Sequence, residues 1–274
     1  MSGGFAVQAP CGVVMVRPRR FAPNPETAGD NVFQVATGVA SPAEIALQAF
    51  EEVTDVANRL RQSGVEVHLF DDPGGDTPDS VFPNNWFSTH AGGHVAVYPM
   101  FNPSRRRERR PDVLEMLKRQ YRVQDVIDYS GLEQDNVFLE GTGAMVLDHI
   151  GRIAYAARSN RISEVALERF CTNFNFEPML FDAADAAGRR IYHTNVMMCI
   201  GTELALVGLD AISDAERREE IRQRLGETGR VVIPLSQAQI ADFAGNALEL
   251  RGKNGRLLAI SARAVRALSR EQIR

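Results

Sequence analysis

The stretch Val196-Met197-Met198-Cys199-Ile200-Gly201-Thr202-Glu203-Leu204-Ala205-Leu206-Val207 reads as two short apolar runs divided by a polar break. Runs of that length around a Gly-Thr-Glu turn suit two buried strands joined as a hairpin. Ser213-Asp214-Ala215-Glu216 follows, a helix start with capping side chains and acidic residues in the first turn, and the helix is expected to stop by Gly226. Val231-Val232-Ile233-Pro234-Leu235 then supplies a third strand. The order is strand, strand, helix, strand.

Outward from this unit the same order recurs. Strands are expected at residues 13–16, 65–70, 86–89, 94–98, 144–147, 153–156, 248–251 and 257–260, the last two joined across Asn254-Gly255. The firmest helix opens at Ser41-Pro42-Ala43-Glu44, which combines an N-cap hydroxyl, an N1 proline and a capping-box glutamate, and it runs to Gly64. Others open at Pro111-Asp112, at Ser163, running through Phe170, and at Ser261 or Ala262, the last running to the chain end. The last four helices begin about 50 residues apart, a period that signals an array of similar units. Five ββαβ units are expected, with the first strand returning to the last unit so that no edge stays open. An α/β chain of one domain over residues 1–274 is expected. The rival, an open sheet in two domains, is disfavoured because wound parallel sheets connect strands through helices rather than hairpins.

With 44% hydrophobic and 24% charged residues in 274, a substantial core is expected and disorder is excluded as the main state. Lys+Arg of 31 against Asp+Glu of 35 gives a net charge of -4, the wrong sign for a general nucleic-acid binder. The basic run Arg105-Arg106-Arg107-Glu108-Arg109-Arg110 lacks interleaved aromatics and is expected to be a solvated loop or a local anion contact. Cys11, Cys171 and Cys199 have no metal-site spacing, and neither a leader-like start nor a long apolar run is present. A reducing cytoplasm is the expected setting.

Four segments carry the candidate chemistry. Glu140 lies in Leu139-Glu140-Gly141-Thr142-Gly143, where glycines allow close backbone approach; a plain glycine turn is the alternative. His193, in Tyr192-His193-Thr194-Asn195, precedes an apolar strand and suits a general acid or base, although a lone histidine is more often structural. Arg161, in Ser159-Asn160-Arg161, could pair with a substrate carboxylate or simply sit at a helix start. Asp79-Ser80-Val81-Phe82-Pro83-Asn84-Asn85-Trp86 offers a carboxylate and two carboxamides, or an Asn-Asn turn beside a core tryptophan.

Taken together, these segments resemble the guanidino-group-modifying enzymes, the amidinotransferase, arginine deiminase and dimethylarginine hydrolase superfamily. Met15-Val16-Arg17-Pro18, Asn24-Pro25-Glu26-Thr27, residues 83–90, residues 193–199, Phe243-Ala244-Gly245-Asn246 and Leu248-Glu249 look closest to its citrulline-utilisation hydrolases. The resemblance implies a five-bladed α/β propeller, or pentein, around a central channel. It also implies a hydrolase acting on a non-peptide carbon–nitrogen bond, with Glu140 and His193 managing protons and Asp79, Asn84, Asn85 and Arg161 binding substrate. Where arginine-acting relatives carry acidic residues, Asn84 and Asn85 suit a neutral, citrulline-like ureido group. Alternatives are an arginine or methylarginine deiminase and a catalytically silent amino-acid binder. No cofactor or metal is implied; the expected partners are a small amino-acid substrate and, in a homodimer, a second copy, with neither nucleic acid nor membrane.

The family's nucleophile is a cysteine near the C-terminus, and the resemblance puts Ala259 in its place. Cys199 could serve, but it lies six residues past His193, about 20 Å along an extended strand. Ser261 or an activated water are the other options.

Overall fold

The computed structural model describes residues 8–29, 31 and 41–273. Among the described residues two compact units form, one lying within residues 11–136 together with 251–255, the other made of residues 8–10, 137–250 and 256–273.

In the first unit, β1 (Gly12–Pro18) runs parallel to β2 (Glu66–Asp72), with Gly12 opposite Glu66 and Pro18 opposite Asp72. Between them lies α1 (Pro42–Gln62), whose capping box forms as expected: the Ser41 hydroxyl accepts from the Glu44 N–H and the Glu44 carboxylate accepts from the Ser41 N–H. β3 (Phe87–His90) and β4 (His94–Val97) make an antiparallel hairpin. After α2 (Pro103–Arg106) and α3 (Pro111–Gln120), β5 (Asp125–Asp128) returns parallel to β4. Trp86, Phe87, Val95, Met100, Val113 and Leu117 form the core between this sheet and α3.

The second unit repeats the pattern twice. α4 (Gly141–Ala144) leads into the hairpin of β6 (Met145–Asp148) and β7 (Ile153–Ala157). α5 (Glu164–Phe174) then carries the chain to β8 (Glu177–Phe181), parallel to β7. Every residue of β7 is buried, as a strand covered on both faces must be, and its Ile-Ala-Tyr-Ala-Ala run alternates bulky and small residues to fit. β9 (Met198–Ile200), β10 (Leu204–Val207), α6 (Ala215–Gly226) and β11 (Val231–Pro234) form the next unit in the same arrangement. After α7 (Gln237–Ala241) come the hairpin of β12 (Ala247–Gly252) and β13 (Gly255–Ile260), then α8 (Ala262–Ala267) and α9 (Arg270–Ile273).

Among the described residues three complete ββαβ units are present, preceded in sequence by a parallel pair and followed by a hairpin. The five sheets formed by these residues are separate, and β1 pairs only with β2, not with the last hairpin. Ring closure through β1 is therefore not seen. The last helix is not continuous either: Leu268 is extended and splits α8 from α9, while Arg274 lies outside the described residues. The basic run forms a local ion network. Arg105, 3% exposed, pairs with buried Glu108 through two bonds of 3.0–3.1 Å, and Arg109 pairs with Glu133.

Candidate active site

Three of the four candidate segments come together inside the second unit. Residues 138–140 lie antiparallel to residues 161–163: the Ser163 N–H donates to the Phe138 carbonyl at 2.7 Å, Leu139 bridges Ile162, and the Glu140 N–H donates to the Arg161 carbonyl at 3.1 Å. Ser163, expected as a side-chain cap for α5, instead accepts from the Phe138 N–H. This short ladder brings Glu140 beside Arg161. Gly141 reverses the chain immediately after Glu140 with a φ of +43, a conformation costly for any residue with a Cβ.

His193 reaches the same point from another direction. It precedes a tight 3-10 turn, Thr194–Val196, where an extended strand beginning at residue 196 is expected from sequence; β9 starts only at Met198. Ser159 Oγ donates to the Tyr192 carbonyl at 2.8 Å and accepts from the Arg161 N–H at 3.1 Å, so the Ser-x-Arg segment holds both neighbours of the site. The Tyr192 ring lies 4.6 Å from the His193 ring, and the Arg161 guanidinium sits 5.6 Å from the Tyr192 ring centre, within cation–π range.

One carboxylate oxygen organises the cluster. Glu140 Oε2 lies 2.9 Å from an Arg161 guanidinium nitrogen and 2.9 Å from His193 Nε2. Glu140 is fully buried, Arg161 is 1% exposed and His193 5%. A buried carboxylate needs such a counter-charge, because desolvation without pairing costs several kcal/mol, on the order of the stability of a whole domain. A neutral His193 donating its Nε2–H to the Glu140 carboxylate would carry its basic lone pair on Nδ1, an arrangement in which a carboxylate orients a histidine for proton transfer.

Cys199 belongs to the same unit but to different surroundings. The 3-10 turn removes the extended path that would set it about 20 Å from His193. Burial, and then the nearby Glu249 carboxylate, push its thiol up to about 12, so almost none is thiolate at neutral pH. Ser261 caps α8 by accepting from the Ala264 N–H, and Ala259 lies in β13.

Asp79, Asn84 and Asn85 belong to the first unit. Pro83–Asn85 is a 3-10 turn in which Asn84 donates to the buried Asn85 side chain at 3.1 Å. Asp79 accepts from buried Asn24 at 2.7 Å and lies 3.7 Å from Arg105. Asn24 also donates to Ser104 Oγ, while the Ser104 N–H donates to Glu26, an interaction that lowers the Glu26 pKa. Asn24 and Glu26 stand in a segment matched by resemblance without an assigned role; the structure places them around Asp79. Among the described residues no group of histidine, cysteine and carboxylate side chains is placed to hold a metal ion, and no helix is long and apolar enough to cross a membrane.

Comparison with known proteins gives the family and the fold. The family described as N,N dimethylarginine dimethylhydrolase, eukaryotic, matches residues 17–274. The chain belongs to this family. It thereby falls among the guanidino-modifying pentein enzymes, whose hydrolases act on guanidino groups. No curated protein matches it in sequence. Among solved structures it is similar to ArgZ, an arginine dihydrolase from the ornithine–ammonia cycle in cyanobacteria, with 20% identity and a TM-score of 0.64; 86% of this chain is covered, but it spans only 33% of that chain. The N-terminal domain of ArgZ, in a cysteine-to-serine variant bound to substrate, gives 20% identity and a TM-score of 0.63 over 86% of this chain and 80% of that one. A dimethylarginine dimethylaminohydrolase carrying a 4-chloro-2-hydroxymethylpyridine adduct gives 13% identity and a TM-score of 0.53 over 83% of this chain and 92% of that one. These likenesses show an α/β fold like that of the pentein enzymes.

Proposed function

We propose that the chain hydrolyses a non-peptide carbon–nitrogen bond of a citrulline-like ureido amino acid. The observation that carries this reading is the buried Glu140 oxygen within 2.9 Å of both His193 and Arg161, a dyad with its counter-ion rather than a core histidine at random. Water adds to the ureido carbon as its proton passes to His193. The bond to the terminal nitrogen then breaks, and that proton leaves on ammonia. The remaining carbamate loses carbon dioxide to give the free amine. The Asn84 and Asn85 carboxamides support a neutral substrate end, since each offers both donor and acceptor. Asp79, fixed by Asn24, is the proposed contact for a substrate nitrogen.

Arg161, expected to clamp a carboxylate, is better supported as the group that fixes the Glu140 side chain, given its burial and ion pair. Ring closure, the single catalytic domain over residues 1–274, a homodimeric assembly and the cytoplasmic setting belong to the same proposal.

A second reading takes methylarginine or arginine as substrate and a thiol as the attacking atom. The family's name favours that substrate, and the N-terminal domain of ArgZ is described as covalently bound to a reaction intermediate. Cys199 would be the thiol, against its raised pKa. Ammonia or methylamine release from citrulline, arginine and methylarginines, with mass spectrometry of the denatured protein during turnover, tests both. Ammonia from citrulline without a protein adduct is expected. An adduct, or citrulline accumulating as product, overturns the first reading; binding without turnover marks a silent binder.

A further inference from the structure

We infer that Thr194 is the positioning residue that sets the His193 imidazole against Glu140; the inference rests on the proposed use of that dyad. Thr194 is fully buried, and its hydroxyl makes two bonds to two other segments. It donates to the carbonyl of Ala144, the last residue of the turn that Glu140 opens, and it accepts from the N–H of Ala157, the last residue of β7, at 2.8 Å. The residue on the other side of His193 is tied down as well, because the Tyr192 carbonyl accepts from Ser159. His193 therefore stands between two backbone anchors that lead to the segments carrying Glu140 and Arg161.

The two anchors differ in what they control. Ser159 ties the stretch before His193 to the Arg161 loop. The Thr194 hydroxyl fixes the distance between the 3-10 turn and the turn after Glu140, so it sets the length of the Nε2 to Oε2 bond directly. A hydroxyl is the group this place needs, since it must accept from one backbone N–H and donate to one backbone carbonyl at once. Valine has the same shape and can do neither. Serine can do both.

The test compares Thr194→Val and Thr194→Ser in the full chain. The readouts are the 15N shifts of the His193 ring nitrogens, assigned by difference from His193→Ala, and kcat and KM for whichever substrate of the panel is turned over. Thr194→Val is expected to move the His193 nitrogen shifts toward those of a free imidazole and to lower kcat by about 10–100-fold with little change in KM. Thr194→Ser is expected to restore both. If Thr194→Val leaves the His193 nitrogen shifts and kcat at the native values, or if Thr194→Ser fails to restore them, the positioning role is wrong. The nitrogen shifts need no substrate, so they decide the inference even if the panel shows no turnover; loss of the catalytic reading would appear instead as His193→Ala leaving turnover intact. Should Thr194→Val not fold, the serine variant still decides: native nitrogen shifts support the hydroxyl anchor, and free-imidazole shifts overturn it.

Discussion

Among its described residues the second unit holds two buried pairs of arginine and carboxylate, Arg230 with Asp148 and Arg161 with Glu140, and they are built differently. Arg230 and Asp148, both fully buried side chains, meet through two bonds of 2.6 and 2.7 Å, and Asp148 Oδ1 also accepts from the N–H groups of Ile150 and Gly151. That carboxylate is saturated by a clamp and a turn. Glu140 meets Arg161 through the same oxygen that faces an imidazole. A saturated pair fixes a fold, whereas a pair that includes a titratable ring can also move a proton. The proposed mechanism therefore uses Glu140 and not Asp148, although both are buried.

This contrast can be broken most forcefully at Asp148. Asp148→Asn leaves Arg230 buried without its counter-charge, and a loss of about 3–5 kcal/mol is expected by urea denaturation. Turnover per folded molecule should stay within about twofold, because nothing of the dyad is touched. A large fall in kcat with unchanged stability would reverse the assignment of the two pairs.

A smaller effect is expected at His149, which stands next to the clamp. Burial, with Arg152 nearby, lowers its pKa to about 4 from an ordinary value near 6.5. The unfolded chain therefore takes up a proton below about pH 6.5 that the folded chain refuses. The stability contributed by the neutral ring is complete above that pH and falls as the pH drops toward 4, by at most about 3 kcal/mol. His149→Gln should flatten the stability curve between pH 6.5 and 4. An unchanged slope would show that the acid sensitivity lies elsewhere.

The smallest effect is expected at Cys199. Its thiol is held protonated by burial, so Cys199→Ala should change turnover by less than about twofold and cost only about 1 kcal/mol of stability. Loss of turnover would transfer the attack to that sulfur and favour the covalent reading.

The helices were legible because their ends are chemical. Ser41 with Glu44, and Asp214 with the N–H groups of Glu216 and Arg217, cap in the structure as their spacing implies. Two strands, β5 and β8, are not legible. Both run along outer edges of their sheets: β5 is four residues bounded by aspartates, and β8 carries Pro178, which weakens any reading as a strand yet is tolerated at an edge. The dyad was readable in part. The order of the motifs pointed to Glu140 and His193, but Arg161 and Glu140 are 21 residues apart, and only folding shows that the arginine faces a protein carboxylate. Thr194 gave no local signal, since its two partners are backbone groups supplied by other segments.

The central claim is that His193, oriented by Glu140, moves the proton in the cleavage step. Ammonia release from citrulline by the native chain and by His193→Ala tests it most directly. A fall of about 10²–10⁴-fold with the fold intact is predicted, and release at the native rate by the variant would contradict the account.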